Sequence, residues 1–203
     1  MAKLKGPLFS LGATQKLGNA LVFFGWKGLN VVREYVIPAN PKSAGQSTQR
    51  GYMIAVVAAI HAYQALATNP FASADALAYA LLGSTYPTPR TWFNQVCKAW
   101  IDLKVKGKIP AIFGHGSVTP GTAKLTVILE HQPESSAITE GKLHYGTSKT
   151  ALIHSVAATI LALKTGVDIT GLTKGVKYFI QFRSTLPTTF DGNRSGIYYG
   201  VPI

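Results

Sequence analysis

The sequence predicts an α+β protein: a β-hairpin and helices in the first half, short strands in the second. Three observations predict this. Two aromatic and β-branched runs flank a short glycine-bearing loop between Leu21 and Ile37. Apolar residues at helical spacing fill most of 44–106, and beyond Pro110 short alternating segments are separated by turn residues. A chain of 203 residues suffices for one large domain or two small ones, each with a real core.

Residues 1–16 read as an arm. Lys3, Lys5, Gly6, Pro7 and Gly12 give little reason for regular structure, while Leu8, Phe9 and Leu11 need apolar company. Such an arm packs on its own domain or extends over a neighbour, and the sequence leaves both open. The hairpin follows. Leu21, Val22, Phe23, Phe24 and Trp26 make one strand, and Val31, Val32, Tyr35, Val36 and Ile37 the next. Lys27, Gly28, Leu29 and Asn30 lie between them, with Gly28 free to take positive φ. Pro38 stops the second strand, Asn40-Pro41 turns the chain, and Ser43 can cap a helix.

The helices come next. Residues 44–67 read as a buried helix, because Met53, Ile54, Val56, Val57, Ile60, Tyr63 and Leu66 are interleaved with alanines. Asn69-Pro70 ends it. A second helix spans Ala72 to Leu82, with Ser73 as its cap and Gly83 at its end. A third runs from Thr91 to Lys106. Its Trp92 and Trp100 could stack on a cofactor, but aromatics at helical spacing ordinarily form core, and that reading is preferred.

The texture changes at Gly107-Lys108-Ile109-Pro110, which places a domain boundary there: an arm over 1–16, a hairpin-plus-helices module over 17–108 and an all-β domain over 109–203. Lys124–Glu130, Gly141–Gly146, Asp168–Ser184 and Ser195–Val201 read as strand-bearing segments, and Gly114-His115-Gly116-Ser117 as a turn. Ile153–Leu163 fits a helix or a strand–loop–strand equally well.

Two stretches carry resemblances. Val32-Arg33-x-Tyr35-Val36-x-Pro38-x-Asn40-Pro41-x-Ser43-x-x-Gln46-x-x-x-Arg50 resembles a motif of small phage and prophage proteins, with Ser43 where threonine is usual. That resemblance implies a virion or virion-associated structural role and supplies no catalytic residues. Arg33, Tyr35, Pro38, Asn40, Pro41, Gln46 and Arg50 are its junction or assembly residues. Gln46 and Arg50 share a helix face and tie the helix start to the hairpin. The alternative has Arg33 and Arg50 touching a neighbouring subunit or a nucleic-acid backbone.

The second stretch is Leu172-Thr173-x-Gly175-x-x-Tyr178-x-Ile180-x-Phe182-Arg183. It looks like the penultimate-strand region of a fibronectin type III domain, where a tyrosine hydroxyl bonds back to a leucine-bearing turn. Leu172, Gly175 and Tyr178 would form that turn. The resemblance implies an Ig-like or fibronectin type III-like sandwich over 109–203, although Trp26, Trp92 and Trp100 all precede it and the family's early tryptophan is missing. The expected fold is therefore an N-terminal hairpin plus helical bundle followed by an all-β sandwich. Such sandwiches serve mostly as spacers and docking surfaces.

Charge and chemistry narrow the function. The chain is 47% hydrophobic and 14% charged, which argues for a folded protein. Its net charge is +12; residues 1–108 hold twelve Lys/Arg against Glu34, Asp75 and Asp102, and the remainder holds eight against five carboxylates. The lysines are scattered, which argues for a solvated basic surface meeting an acidic capsid or tail protein rather than nucleic acid. His61, His115, His131, His144 and His154 are dispersed, and Cys97 has no second cysteine to pair with. GxSxG, GxGxxG and phosphate-loop spacings are absent. Glu130, Glu134 and Glu140 read as the edge of a polar loop. No enzyme, cofactor or metal is expected. No secretion signal or membrane span is read.

The expectation is a non-enzymatic virion structural protein, a capsid decoration, minor capsid or tail component, made in the host cytoplasm. Its partners would be other copies of itself and other virion proteins. A phage nucleic-acid-binding protein is the alternative, resting on Arg33, Arg50 and Arg90. A third reading is an adhesin or fibre-type carbohydrate-binding module, resting on the sandwich and on Tyr198-Tyr199.

Overall fold

Alternation of bulky residues in LVFFGW and LNVVRE pairs two strands in the first part of the chain, β2 (Leu21–Trp26) and β3 (Leu29–Glu34). Their register runs from Leu21 opposite Glu34 to Trp26 opposite Leu29. β1 (Gln15–Leu17) adds to the other edge of β2. The expected arm therefore becomes strand at its end. These coordinates come from a computed structural model, which describes residues 15–18, 20–26, 29–37, 42–133 and 138–203. The tip Lys27-Gly28, the rest of the arm, Pro38, Asn40, Pro41 and Glu134 lie outside the described residues.

Chain contacts separate two compact units, Met1–Ser43 and Ala44–Ile203. The change of texture after Lys108 is not where the chain divides, because the helices before it are hydrogen-bonded into the sheets after it. The Ile197 amide donates to the Ala78 carbonyl at 2.9 Å, and the Phe113 amide to the Tyr79 hydroxyl at 3.1 Å. Asn69 Nδ2 reaches Glu130 Oε1 at 2.7 Å.

Three helices open the second unit. α1 (Ala44–Gln64) starts directly after Ser43. It buries Val56, Ile60 and Tyr63 but leaves its first two turns exposed, so it is not the all-round buried helix its alanines imply. α2 (Ser73–Gly83) is capped differently from expectation: Ala72 holds the cap position, and its amide donates to the Asp75 carboxylate at 2.8 Å. In α3 (Trp92–Val105) the Asn94 amide donates to the Thr91 hydroxyl at 3.4 Å. Val56, Ile60, Tyr63, Phe71, Tyr79, Leu82, Val96 and Cys97 form one core with Ile112 and Ile197. Trp92 and Trp100 pack against it, Trp92 with its ring 5.5 Å from that of Phe71.

Seven strands complete the unit: β4 (Ile112–Gly121), β5 (Lys124–Gln132), β6 (Glu140–Gly146), β7 (His154–Thr159), β8 (Val167–Thr170), β9 (Tyr178–Leu186) and β10 (Tyr198–Gly200). They make two antiparallel sheets, ordered β4-β5-β8 and β10-β9-β6-β7. Phe113, Leu125, Val127, Leu129 and Ile169 of the first sheet share a core with Leu143, Tyr178, Ile180 and Phe182 of the second. The Phe113 and Phe182 rings meet edge to face at 5.3 Å. The ambiguous segment after Ile153 uses both states: β7, then α4 (Ile160–Thr165), whose Ala162 amide donates to the Thr159 hydroxyl.

Gly114-His115-Gly116-Ser117 is not a turn. It lies inside β4, at a bulge where the register with β5 shifts between Gly114 and Ser117. The two glycines are there for space. A Cβ on Gly114 would meet the Tyr63 hydroxyl at 2.8 Å, and one on Gly116 would meet the Tyr198 ring at 2.1 Å.

Candidate functional site

The junction residues begin in the small sheet of the first unit. Val22, Phe23, Phe24, Val31 and Tyr35 are half-buried, whereas Leu21, Trp26, Val32, Val36 and Ile37 are exposed, Val36 at 68% and Ile37 at 73%. Among the described residues, none of the fully buried core lies before Val56. A three-stranded sheet with so little covered apolar surface is marginal as an independent structure. Arg33 lies over the Phe24 ring at 5.4 Å, a contact within the sheet itself. The Tyr35 amide extends the pairing to the Ala20 carbonyl at 2.8 Å. Gln46 and Arg50 stand on the exposed first turns of α1, which continue into Met53 and Ile54, the latter 71% exposed.

In the second unit the turn residues come together. The Tyr178 hydroxyl accepts from the Thr173 amide at 3.2 Å, Leu172 is buried in the sheet core, and Gly175 has φ +76°. The Gly175 amide donates to the Pro202 carbonyl at 3.0 Å, which ties this turn to the end of the chain. Removing the hydroxyl alone, in Tyr178→Phe, is expected to cost about 1 kcal/mol in urea denaturation without altering the circular-dichroism spectrum.

Three polar constellations carry no sequence signal of their own. Asp75, 1% exposed, accepts from the Ala72 and His115 amides on one oxygen, and from the Gly116 amide (2.9 Å) and the Tyr198 hydroxyl (2.7 Å) on the other. It joins α2 to β4 and β10 through the bulge. Burial, then the Asp75 charge, pushes the Tyr198 hydroxyl well above its ordinary value, so it remains a donor across the physiological range. Asn193, fully buried, accepts from the Ala111 amide at 2.6 Å and donates to the Ile109 and Phe190 carbonyls, fixing the segment between α3 and β4. Gln181, also buried, donates to the Ser195 carbonyl and accepts from Arg183 Nε at 3.0 Å.

His144 on β6 is depressed below its ordinary 6.5 by burial, then by Arg183, Lys142 and Arg194. The unfolded chain therefore takes up this proton before the folded one does. Stability from this group is full above about 6.5 and is lost as pH falls toward the folded value. His144→Gln should flatten the thermal-midpoint decline between about pH 7 and 5.

Among the described residues no group of three or more His, Cys, Asp or Glu could hold a metal. No helix among them is long and apolar enough to cross a membrane. No family model matches the chain, and no curated protein matches it.

Proposed function

We propose that this chain is a non-enzymatic structural protein of a phage particle, a capsid decoration, minor capsid or tail component that assembles through repeated subunit contacts. The observation that carries the reading is apolar surface without cover: Trp26, Val36 and Ile37 in the first unit, and Met53 and Ile54 on α1, are exposed side chains that other copies or other virion proteins would bury. The phage-like run from Val32 to Arg50 spans this same stretch of sequence.

The seven strands are read as a fibronectin type III-like sandwich, supported by the strand orders β4-β5-β8 and β10-β9-β6-β7 and by the hydrogen bond from Thr173 to Tyr178. In this reading the hairpin and the start of α1 make the subunit contacts. Mass spectrometry of purified particles from the source tests the assignment. Peptides of this chain at a level fitting a repeated component support it; their absence from intact particles overturns it.

A further inference from the structure

Arg183 and Arg194 face each other as bridge partners, one on β9 and one in the segment leading to β10. Like charges directly opposite on paired strands destabilise a sheet. Arg183 is half-buried, and burial together with the Arg194 charge depresses its pKa. Two clefts of about 170 Å³ open beside this pair and share Leu82 as a wall. Arg194 lines the first with Arg90, Lys98 and Lys106; Arg183 lines the second with Lys149.

Two of these guanidinium groups are held in place by buried glutamines. Gln181 fixes Arg183, and Gln95, 3% exposed, accepts from Arg90 Nη1 at 3.4 Å while Arg90 lies 4.5 Å over the Tyr86 ring. The carboxylate lining either cleft is Asp102, and Lys98 holds it at 2.6 Å. Among the described residues, no salt bridge engages Arg90, Arg183, Arg194 or Lys149. Preorganised guanidinium forks with no internal counter-charge match the geometry of an incoming carboxylate.

We propose that these clefts bind an acidic segment of another protein. Each is of a size to take a carboxylate side chain. One face of the Tyr86 ring is already covered by Arg90 and is not open for stacking a base. A second copy is a poor donor, because the chain has only eight carboxylates, of which Asp75 is buried and Asp102 and Asp168 are paired with lysines. The inference concerns the cationic clefts alone and stands whether or not the chain belongs to a virion.

The test is fluorescence anisotropy of a labelled oligoglutamate peptide against the full chain, with labelled oligothymidylate in parallel, at about 20 mM and about 150 mM ionic strength. The peptide should bind at low salt and more tightly than the oligonucleotide. Arg194→Gln and Arg90→Gln should each weaken it about tenfold. Arg194→Gln should also keep or raise the thermal midpoint, since it removes a like-charge opposition. Absence of peptide binding at low salt overturns the proposal, as does unchanged affinity in both folded variants. Tighter oligothymidylate binding that the same variants abolish overturns it too, and assigns the clefts to nucleic acid.

Discussion

Asp75→Ala should destabilise the protein by about 3 to 5 kcal/mol, read as a fall in the urea midpoint with little change in slope. The carboxylate, itself 1% exposed, satisfies three backbone amides and the Tyr198 hydroxyl, and alanine removes the acceptor they share. Asp75→Asn keeps the shape but turns one acceptor into a donor facing amides, so it should still cost about 2 kcal/mol. Tyr198→Phe removes one bond of the four and should cost less than either. Equal losses for all three variants would mean that packing, not the carboxylate, holds α2 to the strands.

Gly116→Ala should cost about 3 kcal/mol, although it adds one methyl group at a half-buried position. The added carbon would stand 2.1 to 2.4 Å from Cζ, Cε1 and the hydroxyl oxygen of Tyr198. The ring cannot swing aside freely, because its hydroxyl is anchored on Asp75 and its face lies in the core. Shrinking the ring should relieve the clash, so Gly116→Ala combined with Tyr198→Leu should cost less than the sum of the single changes. Strict additivity would show that the clash is absorbed by the backbone of β4 instead.

Elements stabilised by their own neighbours in sequence were legible before the structure. The hairpin between Leu21 and Glu34, the helix opening at Thr91 and the strand signal within Asp168–Ser184, realised as β9, each carry a local signal of alternation, apolar periodicity or turn residue. What stayed hidden was decided across the fold. Gly114 and Gly116 look like turn glycines, yet they are strand glycines beneath tyrosines contributed by α1 and β10. Ser73 has a capping side chain, but the Ala72 amide is taken by Asp75, whose other partners lie forty or more residues away. Asn193 carries no motif, and its importance comes from reaching the Ile109 carbonyl and the Ala111 amide in the link between α3 and β4.

Charge counting holds no trace of the Arg183–Arg194 opposition for a related reason. The first 108 residues hold most of the net charge, but Arg183 and Arg194 come from the less charged remainder, face each other, and bring Arg194 to one cleft with Arg90 only through folding. A sum over sequence cannot register that pairing. A change in composition after Lys108 marks where helices give way to strands, while hydrogen bonds donated by Asn69 and accepted by the Ala78 carbonyl and the Tyr79 hydroxyl cross it.

The central claim is assembly through uncovered apolar side chains, and mass in solution tests it most directly. Light scattering of the full chain should give a mass above that of the 21.7 kDa chain, unchanged at about 1 M salt because burial of apolar surface is not screened. Ile37→Asp or Ile54→Asp should return it to the single-chain mass while the folded circular-dichroism spectrum persists. A mass equal to one chain at every concentration and salt, for wild type and variants alike, would contradict the account.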